Sequence, residues 1–116
     1  MNVERNIAMF TINGNQKEFT QWEQGYTLAN PNMKAGDKVR FVSSSGESSV
    51  MKAKNVNGAV QVEVPNTLLK HASNITVQFV GGGDLTSFAV KSAPKPDGWQ
   101  LIDNEPRGVN LLVQSE

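Results

Sequence analysis

Apolar and polar residues alternate along most of this chain with a period of two, in segments of about five to seven residues. That period belongs to half-buried strands, whose successive side chains point to opposite faces. Clusters of Gly, Asn, Asp and Ser punctuate the segments where strands should turn. The pattern predicts a first strand over Asn6–Ile12, with Ala8, Phe10 and Ile12 on one face and Ile7 and Met9 on the other. Asn13-Gly14 follows as a turn, because both residues tolerate positive φ. Further strands are predicted over Glu18–Trp22, Tyr26–Leu28 and Lys38–Val42, the last with Val39 and Phe41 inward around an exposed Arg40.

Val50–Lys54 and Ala59–Val64 flank Asn57-Gly58, a strong hairpin signal. In the second arm Val60, Val62 and Val64 alternate with Gln61 and Glu63. Pro65 then stops the ladder, and Leu68 and Leu69 after Pro-Asn predict one short helical turn near 66–71. Such a turn serves to cross from one sheet of a sandwich to the other. Alternation resumes over Asn74–Val80 and, after Gly81-Gly82-Gly83-Asp84, over Leu85–Lys91. The expected fold is therefore all-β: an immunoglobulin-like sandwich of about seven to nine short strands in residues 1–92.

Beyond Lys91 the character changes. Pro94 and Pro96 interrupt any ladder and favour an extended arm, so residues 93–116 read as a C-terminal connector. Trp99–Ile102 and Val109–Val113 are its two candidate strands. Its candidate interface residues are Pro94, Pro96, Trp99, Leu101, Val109, Leu111 and Val113, with Trp99 as the anchor.

Composition narrows the function. Eleven basic and eleven acidic side chains cancel, and the lysines and arginines are scattered, so no nucleic-acid or anionic-lipid partner is expected. No run approaches the roughly 18 to 20 apolar residues of a spanning helix, and the first ten residues do not read as a signal peptide. The absence of cysteine removes disulfides, thiolate nucleophiles and cysteine metal sites, and fits folding in a reducing cytoplasm.

Candidate chemistry is sparse. His71 is the single histidine and has no acidic neighbour in sequence, so no catalytic role is expected for it. Asp37, Asp84 and Asp97 each stand alone beside glycine, which is ordinary turn chemistry rather than a calcium loop. Gly81-Gly82-Gly83 lacks the following Lys-Ser or Lys-Thr of a phosphate loop. No cofactor, metal or catalytic residue is expected. Trp22, Tyr26 and Trp99 stand out, since aromatic faces stack on sugars or anchor interfaces. Trp22 is expected in the core. The alternative is a carbohydrate-binding module that stacks a bacterial surface glycan on Trp22, Tyr26 or Trp99.

Several fragments, taken in order, resemble a known module. They are Phe19-Thr20-Gln21-Trp22 with Gly25-Tyr26-Thr27-Leu28, then Asp37-Lys38-Val39-Arg40-Phe41, Val60 through Leu69, Phe88-Ala89-Val90, and Lys95-Pro96-Asp97. The order is similar to that of an N-terminal β-sandwich module in structural proteins of tailed phages of Gram-positive bacteria, found in head fibres, upper baseplate proteins and receptor-binding appendages. The similarity spans about residues 19–105. The chain departs from the pattern after Lys95-Pro96, where an aromatic-rich exit is usual and Gly98-Trp99-Gln100 stands instead. The resemblance implies a virion protein made in the host cytoplasm, acting in a head fibre, capsid decoration or tail and baseplate attachment. It implies docking to capsid or tail proteins and a homo-oligomer, with a trimer by analogy to the fibres.

Overall fold

The computed structural model describes residues 9–83 and 85–105. Nine strands among them build two facing sheets: β1 (Thr11–Ile12), β2 (Phe19–Thr20), β3 (Thr27–Ala29), β4 (Lys38–Ser43), β5 (Ser48–Lys52), β6 (Lys54–Val56), β7 (Ala59–Glu63), β8 (Asn74–Phe79) and β9 (Thr86–Lys91). The four-stranded sheet runs β1-β3-β7-β6 and the five-stranded sheet runs β2-β9-β8-β4-β5. This is the strand order of an immunoglobulin-like sandwich, with an extra strand beside β4 and a divided first strand. The two parts of that first strand serve different sheets. β1 pairs antiparallel with β3, and β2 pairs parallel with β9 at Phe19–Val90 and Thr20–Lys91.

The alternation seen in sequence becomes the core. In β4 the pattern is strict, with Val39, Phe41 and Ser43 buried between exposed Lys38, Arg40 and Val42. Leu28, Val62, Val64, Ile75, Val77, Phe88 and Val90 complete the apolar layer between the sheets. Aromatic rings brace it, with Phe19 against Phe88 at 5.3 Å and Phe10 against Phe79 at 5.0 Å between centroids. Asn57 and Gly58 adopt φ of 54° and 90° between β6 and β7, the two positive values a tight hairpin turn requires. A 3₁₀ helix over Asn66–Lys70 carries the chain from β7 to β8, and Leu68 and Leu69 close that end of the sandwich.

Four strand expectations are corrected. Val50–Lys54 is not one strand: Ala53, 2% exposed, marks the step from β5 in one sheet to β6 in the other. Its amide donates to Asp37 C=O, and its own carbonyl accepts from Gly36 N–H, so the backbone is paired away from either sheet. The predicted strand Glu18–Trp22 shrinks to β2, because Glu23 N–H turns back to Thr20 C=O. Trp99–Ile102 forms no strand. Of the first predicted strand only Thr11–Ile12 is a strand among the described residues, and positions 6–8 lie outside them, as do Val109, Leu111 and Val113.

Candidate docking site at the C-terminal arm

The arm after β9 folds back across one end of the sandwich, and two turns set it there. In the first, Thr20–Glu23, the third residue must take positive φ, and that residue is Trp22 at 76°. Glycine is the usual occupant, and a bulky residue there costs about 1–2 kcal/mol. The neighbourhood offsets the cost. Trp22 N–H donates to Leu69 C=O, its indole Nε1 donates to Ala93 C=O at 2.9 Å, and its carbonyl accepts the indole N–H of Trp99 at 2.6 Å. In the second turn Trp99 N–H returns to Pro96 C=O, and Gly98 at φ 73° supplies the required conformation. This turn aims Trp99 back at Trp22.

The two indoles meet edge to face with centroids 5.1 Å apart. The ammonium of Lys95 lies 5.4 Å from the Trp22 ring centre and 5.7 Å from that of Trp99, so one cation serves both quadrupoles. Both rings are half-buried. Trp22 is thus not a core residue, contrary to the expectation from its predicted strand position.

Side-chain amides then fasten the arm to the backbone. Gln21 accepts from Ala93 N–H and donates to Lys70 C=O, tying the arm's start to the corner helix. Gln24 donates to Gln100 C=O and accepts from Ile102 N–H at 2.7 Å, imitating a strand partner. Asn66, 4% exposed, donates to Ile102 C=O and accepts from Gly25 N–H. Asn104 closes the series by donating to Glu63 Oε1 and Val64 C=O while accepting from Asn66 N–H. Primary amides suit this work, because each carries a donor and an acceptor on one plane and so matches a peptide group.

None of the arm's residues 93–105 is fully buried. Pro94 and Pro96 are exposed, Trp99 and Leu101 half-buried, and Ile102 stands 66% exposed. The arm is held by polar reading of its backbone, with the indole pair as its main apolar contact.

Of the three aromatics considered for glycan stacking, the structure joins Trp22 with Trp99 and sets Tyr26 apart. The Tyr26 ring packs on Phe19 at 4.8 Å, its oxygen accepts Thr20 N–H, and its hydroxyl donates to Glu23 at 2.7 Å. Burial, and then the bond to the Glu23 carboxylate, raise its pKa above the ordinary tyrosine value. His71 lies 3.6 Å from Glu47 of the β4–β5 turn, a neighbour hidden in sequence by the separation of the two positions. Asp37 accepts Lys34 N–H within its own turn. Among the described residues no group of three His, Asp or Glu side chains converges as a metal site, and no helix is long and apolar enough to cross a membrane.

Sequence reasoning singled out Trp99 and missed Gln21, Gln24, Asn66, Asn104 and Lys95. No local signal marks these amides, because their partners lie 36 to 78 positions away in the chain. Fold and site together define an immunoglobulin-like sandwich with a back-docked C-terminal arm. Comparison with protein families, curated proteins and solved structures finds no match.

Proposed function

We propose that this chain is a structural module of a tailed-phage virion, in a head fibre, capsid decoration or baseplate attachment, and that it works by protein–protein docking. The observation that carries the reading is the arm. It crosses the domain exit on side-chain amides without entering the core, which is the construction of a separable element rather than a tenth core strand. The ordered resemblance of residues 19–105 to the phage module supports the same reading. So do the pairing of His71 with one carboxylate among the described residues and the lack of cysteine in the sequence, which leave little for catalysis. The partners are capsid or tail proteins and further copies of the chain, as a trimer by that resemblance.

The carbohydrate-binding alternative has less to support it. The two indoles meet edge to face under a shared lysine, and Tyr26 serves the core margin, so the three rings present no common platform. Cutting the chain after Lys91 tests the proposal by sedimentation. The full chain should sediment as an oligomer and the shortened chain as a folded monomer with unchanged strand content. Equal assembly of both chains contradicts the role of the arm. Tight glycan binding that Trp22→Ala abolishes favours the alternative.

A further inference from the structure

The groove that holds the arm recognises its occupant at two side chains and reads main chain between them. Gln24 pairs with Gln100 C=O and Ile102 N–H, and Asn66 with Ile102 C=O, contacts open to any extended segment. Selection comes from the two ends. The Trp99 indole must reach the Trp22 carbonyl, and the Asn104 amide must meet Glu63 and Val64 while accepting Asn66 N–H. A tryptophan followed five positions later by asparagine occurs once in the sequence, at Trp99 and Asn104. The occupant that fits the groove is therefore this chain's own segment 99–104.

The same bonds form whether segment and groove belong to one copy or to two. Ala93 is fixed to the domain through Gln21 and the Trp22 indole, and Pro94, Lys95 and Pro96 follow it, all exposed. The prolines have no amide to give up and suit polyproline II, so straightening this stretch carries the arm outward by about 3 Å per residue. Lys95, over both indoles, is the arm contact that lies within this hinge. Residues 97–105 are exposed or half-buried, so the arm leaves without opening the core. An anchored hinge, an arm outside the core and a groove matched to that arm are the parts of a segment exchange between identical copies.

We propose that in the assembly the arm passes to a neighbouring copy, with Trp99–Asn104 of one chain seated in the Trp22, Gln24 and Asn66 groove of the next. Each hydrogen bond named above is remade between copies, so local concentration decides the exchange and no new contact is needed. Passed around a ring, the arms fill every groove, and a trimer closes in this way without an unused end. The inference rests on the docking role proposed above and gives it a donor and an acceptor.

The lack of cysteine makes the test direct. Gln100 is exposed and contributes its carbonyl to the groove, so a label on its side chain leaves that contact in place. Full-length Gln100→Cys carrying a nitroxide is refolded, in excess, with isotope-labelled parent chain, which alone is seen by heteronuclear NMR. The Gly25 and Asn66 amide signals of the parent chain should lose most of their intensity to the neighbour's nitroxide. Gly82, beyond the far end of β8, should keep its own. Adding Trp99→Ala to the nitroxide chain removes the anchor and should restore both signals. If the sample assembles and the broadening falls elsewhere or nowhere, the exchange is overturned and the docking role passes to another contact. A full chain that stays monomeric at every concentration overturns both.

Discussion

The indole N–H of Trp99 donates to the main-chain carbonyl of Trp22 at 2.6 Å, across 77 positions of sequence, while the two rings meet edge to face. The bond holds the arm against the domain at the one non-glycine residue that must take positive φ in the Thr20–Glu23 turn. Backbone strain and arm docking are therefore coupled through a single peptide unit.

Replacing Trp99 with alanine removes that hydrogen bond, the ring pair and one half of the Lys95 contact. Each is worth about 0.5–1.5 kcal/mol, and the half-exposed setting places the total toward the low end. The arm should loosen before the sandwich does. Hydrogen exchange at the Ile102 amide, which Gln24 protects, should accelerate about tenfold or more with a small change in melting temperature. Unchanged protection at Ile102 contradicts this account.

The positive φ of Trp22 orders two substitutions against the usual expectation. Both Trp22→Ala and Trp22→Gly lose the indole, but only alanine keeps the steric cost of the left-handed region. Trp22→Gly should be the more stable by about 1 kcal/mol in urea denaturation. An alanine variant as stable as the glycine one refutes the strain.

Asn66→Ala should be the most costly single change in the clasp. It leaves Gly25 N–H and Ile102 C=O without partners in a site where Asn66 is 4% exposed. The expected loss is about 1–3 kcal/mol, with Asn66→Asp no rescue because the carboxylate meets the Ile102 carbonyl. Thermal unfolding of the three proteins provides the comparison.

Tyr26 predicts an alkaline limit. Its pKa is raised in the fold, first by burial and then by the bond to Glu23, so the unfolded chain loses this proton before the folded one does. The folded state therefore holds more protons in that window, and stability falls as pH rises through and above the ordinary tyrosine value of about 10. Below it the contribution is fully present. Lysines also titrate there, so the signature is the difference between the parent and Tyr26→Phe: between about pH 9 and pH 11 the variant should lose stability less steeply. Parallel curves for the two proteins count against the shift.

The sequence by itself determined what depends on neighbours in the chain. Alternation in Lys38–Phe41 and Asn74–Phe79 predicts inward and outward faces, because successive side chains of a strand point to opposite sides. Asn57-Gly58 predicts its hairpin, and Pro65 with Leu68 and Leu69 predicts the corner between sheets, since local sterics dictate both. Only the tertiary structure decided how Val50–Lys54 divides at Ala53, because the step between sheets follows from backbone partners at Gly36 and Asp37. It likewise decided that Trp22 leaves the core for a strained turn and that the arm lies back on Gln21, Gln24 and Asn66. Those outcomes rest on pairings separated by up to 78 positions, where no local preference reaches and only the packed fold supplies the partner.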